Sequence, residues 1–201
     1  MLNKLSKVIL FCGMVSFIIS CSSKNFAAKY YYQHSTVLNR IEETYKNLYR
    51  QDPFSIAFTG RDFKTISLEI ITDTLSYIYE FGLRESRLAD TLVKFRLNAP
   101  KVIELIHQMQ SIRCTWINNF NYYVDEKKNS LTFMSIKAVG INSPFSYKKY
   151  YILTYFPQPQ YFDSEGRLLD KKKLRQLRKI KGEIFKRIND KVCYTISGNF
   201  R

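Results

Sequence analysis

An α+β fold, an antiparallel sheet with about three helices packed on one side, is what this sequence of 201 residues predicts. Three observations carry that expectation. Apolar residues recur at three- and four-residue spacing in a few segments and in strict alternation in many more. The alternating runs follow one another through short turns instead of helical crossovers, which makes hairpins and an antiparallel sheet. With 45% hydrophobic and 15% aromatic residues the chain can bury an ordinary core, so it is neither a disordered tail nor a disulfide-knotted miniprotein. One main domain is expected.

The first element is a leader. Lys4 and Lys7 precede an apolar run from Val8 to Ile19, which Gly13 and Ser16 interrupt, and Ile18-Ile19-Ser20-Cys21 closes it. Twelve positions suit the apolar part of a signal peptide and fall short of the roughly 20 residues that span a bilayer. The segment resembles the leader of bacterial lipoproteins, with Ile18-Ile19-Ser20-Cys21 as its lipobox: an aliphatic residue three before the cysteine and a small one just before it. The resemblance covers the leader only. It implies cleavage between Ser20 and Cys21, lipid on the Cys21 thiol, and a further acyl chain such as palmitate on the freed amino group. One chain holds a protein marginally, whereas two or three, at about 0.8 kcal/mol per buried methylene, hold it permanently. Ser22-Ser23-Lys24-Asn25 follows, without Asp beside the cysteine and without an acidic cluster. In lipoproteins that pattern resembles cargo of the outer membrane, facing the periplasm. The Lys-, Asn- and Tyr-rich style of the chain resembles lipoproteins of the Bacteroidetes kind. The implied organisation is a signal peptide over 1–20, a lipidated tether over 21–33 and one α+β domain over 34–201.

After the tether, with Tyr30-Tyr31-Tyr32 near its end, Leu38, Ile41, Tyr45 and Leu48 mark an amphipathic helix from Ser35 or Thr36 to about Gln51, before Asp52-Pro53. The period then changes to two. Phe54, Ile56 and Phe58, then Ile66, Leu68 and Ile70, then Leu75, Tyr77, Tyr79 and Phe81 predict three antiparallel strands. Residues 84–97 fit two patterns, a helix through Leu88, Leu92 and Phe95 or a strand through Val93, Phe95 and Leu97. Asn98-Ala99-Pro100 opens a helix with Val102, Leu105, Ile106 and Met109 on one face. A long hairpin follows, Trp116 to Val124 and Leu131 to Val139, and another strand from Tyr147 to Phe156. Pro157-Gln158-Pro159 breaks the pattern, and Asp163-Ser164-Glu165-Gly166 reads as a tight turn with Gly166 in its left-handed position. From about Asp170 to Ile188 the stripe Leu174, Leu177, Ile180, Ile184 and Ile188 predicts a basic helix, and Val192 to Ser197 a last strand.

Removing residues 1–20 leaves 30 basic against 17 acidic residues, a balance of +13. An exported chain does not meet nucleic acid, so the partners that such charge suits are an acidic protein face, anionic lipid headgroups or acidic glycans. Compositional drift toward Lys, Asn, Ile and Tyr explains the charge equally well. The densest basic surface is formed by Lys171, Lys172, Arg175, Arg178, Lys179 and Lys186, opposite the apolar stripe of the last helix. With Cys21 lipidated, Cys114 and Cys193 remain, both expected on strands, either bridged or as two buried thiols.

Chemistry finds little footing. Two histidines and seven glycines leave no metal-binding or phosphate-loop pattern, and no cofactor is implied. His34 and His107 have no visible partner acid or nucleophile. Ser146-Tyr147-Lys148-Lys149 has Ser-x-x-Lys spacing without companion motifs. Asp163, Glu165 and Asp170 lack the alternation of a calcium loop. No catalytic residue is assigned. The expected role is therefore binding or adaptor work in an envelope or secretion-type assembly. Two alternatives stay open: a glycan-binding module using exposed aromatics among Trp116, Phe120, Tyr122, Tyr123, Tyr147, Tyr150, Tyr151, Tyr155 and Phe156, and a periplasmic hydrolase with Glu69 or Glu80 in a carboxylate pair.

Overall fold

The computed structural model describes residues 2–124, 127–139 and 149–198, with side chains over 26–122, 129–136 and 149–198. The chain divides into two units, Met1–Ser35 and Thr36–Arg201. Helix α1, Leu2–Gln51, leaves helical geometry at His34 (φ −116°, ψ 15°). Within the first unit Tyr30 stacks 4.7 Å from His34 and 6.1 Å from Phe26, the four-residue spacing of a helix. Residues 26–33 are thus helical.

In the second unit, α1 buries the anticipated stripe Leu38, Ile41, Tyr45 and Leu48. The three strands expected next are β1 (Phe54–Phe58), β2 (Thr65–Ile71) and β3 (Ser76–Gly82). The ambiguous stretch resolves as helix α2, Ser86–Lys94, which buries Leu88 and Leu92. Helix α3, Ala99–Ser111, starts where Asn98 caps it: the Lys101 N–H donates to Asn98 Oδ1 over 3.2 Å, and Pro100 occupies the first turn, where no N–H is needed. The long hairpin is β4 (Trp116–Val124) with β5 (Lys127–Val139), and β6 is Lys149–Tyr155. Ser146 and Tyr147 lie outside the described residues.

The basic helix expected over Asp170 to Ile188 does not form. That stretch holds turns, a two-stranded sheet of β7 (Lys179–Ile180) and β8 (Glu183–Ile184), and β9 (Lys186–Arg187), before β10 (Val192–Ser197). Nine Lys and Arg against two acids put like charges four residues apart, as at Lys171, Arg175 and Lys179, which destabilises a helix. Gly182 adopts φ +81° in a turn, and Leu174 of the supposed stripe stays 52% exposed while Phe185, off the stripe, is fully buried. Tertiary packing overrides local propensity here.

The main sheet runs β3-β2-β1-β4-β5-β6-β10-β9, all antiparallel. Paired registers carry one row across it: Leu68, Ile56, Ile117, Met134, Leu153 and Tyr194. From Thr36 onward α1 packs on this face, as does the end of α2, and α3 docks at the β1–β2 turn. Tyr45 of α1 meets Phe54 edge-on at 5.3 Å, Phe95 at the end of α2 packs on Tyr77 and Tyr79, and Gln110 of α3 donates to the Phe63 carbonyl. The Tyr45 hydroxyl also donates to the Phe54 carbonyl at 2.5 Å and has the Asn119 backbone as its second partner. Continuing the β1–β4 register (Ile56 opposite Ile117) puts Phe54 opposite Asn119. The phenol therefore fills the place of the next rung between these strands, and burial holds its pKa well above 10.

A second core fills the opposite face over β4 to β10. Trp116, Leu131, Phe133, Tyr150, Ile152 and Cys193 meet Phe156, Leu168, Ile180 and Phe185 from the chain that crosses above them. On β1 to β3 the same face is polar, with Ser55, Ser67, Glu69 and Glu80.

Replacing Tyr45 by Phe keeps the packing and strands the Phe54 carbonyl. We expect it to lower stability by about 1–2 kcal/mol in urea unfolding. Thr154 Oγ1 is buried with no partner among the described residues, so Thr154→Val is expected to be neutral or to raise stability by about 1 kcal/mol in the same assay.

Candidate functional site

In the cover of the second core, charge, aromatic rings and left-handed backbone come together. It begins at Phe156, whose N–H donates to the Lys191 carbonyl (2.8 Å). Asp163 then builds a turn. Its Oδ1 accepts from the Glu165 and Arg167 N–H groups (3.0 and 2.7 Å), and its Oδ2 from Arg167 Nε (2.7 Å). Gly166 takes φ +73°, the left-handed position anticipated for it. The Arg167 N–H, foremost, and its side chain hold the Asp163 carboxyl below the usual range. That contribution to stability is complete above about pH 4 and fades as the pH falls further. Asp170 builds a second turn, accepting from the Lys172 and Lys173 N–H groups at 2.8 and 3.1 Å. Two of the three acids of this stretch are thus committed to turns.

The chain next crosses the sheet as the β7–β8 hairpin. Its two turn residues, Lys181 (φ 49°) and Gly182 (φ 81°), both lie in the left-handed region, the twist that a two-residue hairpin requires. Ile180 and Phe185 point into the core on either side of the turn. Thr195 Oγ1 donates to the Ile184 carbonyl (3.1 Å) and Ser197 Oγ to Glu183 (2.7 Å), tying β8 to β10.

Cations lie over the aromatic rings at the rim. The Arg178 guanidinium sits 5.6 Å from the Tyr122 and Phe156 rings and donates to Gln160 Oε1 at 2.9 Å. Lys181 Nζ stands 5.6 Å over Phe120, and the Arg187 guanidinium 5.4 Å over Phe162. Each such contact is worth about 0.5–1 kcal/mol at an exposed site. Of the residues that the sequence nominated for an anionic partner, Lys171, Lys172, Arg175 and Lys179 are exposed, while Arg178 and Lys186 are half-buried. The structure brings them onto one cover, with Lys171, Lys172 and Arg175 in the turns that follow Asp170, Arg178 beside β7, Lys179 on β7 and Lys186 on β9, and not as a helix face. Lys181, which was not nominated, lies at the hairpin tip. The Ile-Lys-Gly-Glu-Ile pattern of a hairpin could have revealed it.

The remaining candidates disperse. Cys114 and Cys193 are free, buried thiols. Cys193 lies on β10, but Cys114 lies between the turn at Ile112–Arg113 and β4 and not in a strand. Strands β5 and β6 stand between β4 and β10, three strand spacings or about 14 Å, twice the Cα reach of a disulfide. Burial pushes both thiols up to about 12. His107 is exposed on α3. Glu69 and Glu80 are diagonal neighbours on the polar face of β2 and β3; Ser55 Oγ donates to Glu69 at 2.9 Å and Glu80 is exposed. Trp116, Tyr150, Tyr151, Tyr155 and Phe156 are buried, whereas Phe120 and Tyr122 are half-exposed. Among the described residues no group of three His, Cys, Asp or Glu could hold a metal ion. Comparisons with protein-family models, with curated proteins and with solved structures find no match.

Two outcomes check this geometry. Gly182→Ala is expected to cost about 1 kcal/mol through its positive φ alone, since nothing lies within 4 Å of the added methyl. The thiols Cys114 and Cys193 should resist a thiol reagent at about pH 8 until denaturant is added. Because their folded pKa exceeds the unfolded one, their contribution to stability is complete below about 8.5 and declines as the pH rises toward 12.

Proposed function

We propose that this chain is a bacterial lipoprotein, held in the outer membrane by lipid on Cys21 and facing the periplasm, that works by binding and not by catalysis. It acts as an adaptor that holds a protein of an envelope or secretion-type assembly by that protein's acidic face. The anchor rests on the order of Lys4 and Lys7, the apolar run and Ile18-Ile19-Ser20-Cys21.

The observation that carries the binding role is the exposure of Lys171, Lys172, Lys173, Arg175 and Lys179 on a cover pinned to the core through Leu168, Ile180 and Phe185. A backbone already fixed removes the loop-ordering part of the cost when an acidic surface docks, leaving that of the side chains. Their attraction speeds encounter and fixes orientation.

Mass spectrometry of the N-terminal peptide and a pull-down from detergent-solubilised envelopes test the proposal together. Wild type should carry lipid on Cys21 and capture an envelope protein in stoichiometric amount, and Cys21→Ala should lose the lipid. The triple variant Lys171→Glu, Lys172→Glu, Arg175→Glu should weaken capture about tenfold or more and flatten its salt dependence. An unmodified or uncleaved N-terminus overturns the lipoprotein reading. A lipidated chain that captures no protein overturns the adaptor role and favours glycan binding or a hydrolase.

A further inference from the structure

The two ends of the main sheet are finished differently. At one end β9 has two residues, Lys186 and Arg187, and Lys186 bridges onward to Arg167; short length and charge blunt that edge. At the other end stands β3, seven residues with the single charge Glu80 and no proline.

Which backbone groups β3 leaves open follows from its pairing. The Leu83 N–H donates to the Lys64 carbonyl and the Thr72 N–H to the Leu75 carbonyl, both at 2.9 Å. These are hydrogen-bonded pairs of the β2–β3 register, so alternation makes Phe81, Tyr79 and Tyr77 the bonded residues between them. Ser76, Ile78, Glu80 and Gly82 therefore turn their N–H and C=O groups away from β2. Gly82 is closed off: its N–H donates to Glu85 Oε1 (2.9 Å), and its carbonyl accepts from the Glu85 N–H (3.0 Å). Ser76, Ile78 and Glu80 face no strand among the described residues. Apolar exposure gathers at the same edge, with Leu75 at 59%, Tyr77 at 39%, Ile78 at 71% and Val93 of α2 at 67%.

We infer that this edge joins two copies of the chain: β3 pairs antiparallel with β3 of a second copy about a twofold axis through Ile78. An antiparallel ladder matches open residues with open residues, so few registers are allowed. Centring on Glu80 sets two carboxylates against each other. Centring on Tyr79 sets Ile78 against Glu80 and needs the Gly82 N–H that Glu85 occupies. Centring on Ile78 uses all three open residues and no other: Ile78 meets Ile78, and Ser76 meets Glu80 of the second copy, with about six N–H···O bonds. On the helical face, Tyr77 meets Tyr79 of the second copy in a cross-strand aromatic pair. An edge evolved for a foreign strand has no need of this self-complementarity; a twofold contact requires it.

Sedimentation equilibrium of the full chain in density-matched detergent, up to about 100 µM, is the first test, and a dimer is expected. Glu80→Pro removes an outward N–H and spares every bond to β2, so it should give a monomer with unchanged circular dichroism. Ile78→Lys should do the same, whereas Leu174→Lys, an exposed apolar position elsewhere, should leave the dimer intact. Register is read by mild oxidation: Tyr77→Cys mixed with Tyr79→Cys should form a disulfide-linked dimer that neither variant forms alone. A monomeric wild type, a dimer indifferent to Glu80→Pro and Ile78→Lys, or a mixture that does not cross-link overturns the inference.

Discussion

The structure depends on strands that are apolar on both faces. In β6 every residue from Tyr150 to Tyr155 is buried, and β10 is buried at five of its six positions. β2, by contrast, alternates between buried and half-buried along its length. A strand of the β2 kind is satisfied by one layer of helices, but strands of the β6 kind require cover on both sides. The helices supply one side. The other must come from the chain between β6 and β10, whatever that chain's own preference, because leaving Trp116, Phe133 and Ile152 in water costs about 1.5–3 kcal/mol for each side chain. The unrolling of the basic segment follows from that requirement.

This also explains what the sequence disclosed. Elements whose own residues carry the signal were legible: Phe54–Phe58 by its alternation, Val192–Ser197 by its β-branched content, and α3 by Asn98 and Pro100 at its start. The stretch from Asp170 to Ile188 reads as a helix because its leucines and isoleucines fall at helical spacing, whereas its like charges four residues apart and Gly182 oppose one. The signal that could have decided it lay elsewhere, in the run from Tyr150 to Phe156, apolar but for Thr154, which announces a strand with two covered faces. The basic surface was legible as composition. Its arrangement was not, since the placing of Lys171, Lys172 and Arg175 depends on Asp170 capturing backbone N–H groups, and that of Lys179 and Lys186 on the short strands β7 and β9.

Charge is unevenly placed on the face away from the helices. Over β2 and β3 that face shows Glu69 and Glu80; over β4 to β10 it carries the cationic cover. Among the cover's acids, Asp163 pairs with Arg167 and Asp170 accepts from two backbone N–H groups, so both carboxylates serve the turns they sit in. Arg178 is different in kind. Wedged between Tyr122 and Phe156 and bonded to Gln160, it works as a rivet of the cover, with its stem and plane contributing packing as well as charge.

The two surfaces singled out above lie at opposite parts of the sheet and make different demands. A cationic cover acts at a distance and weakens with salt, while a strand edge acts only on contact and depends on backbone geometry. Anchoring by lipid would favour the second in particular. Two copies confined to one membrane meet at a far higher effective concentration than the same copies in solution, so a ladder of about six bonds, marginal when free, becomes sufficient when tethered. An edge of this length with a single charge is an aggregation hazard for a freely diffusing protein. In a chain whose copies are held by their N-termini in one plane, the same edge has few partners to choose from, and a second copy in matching register is the one it fits.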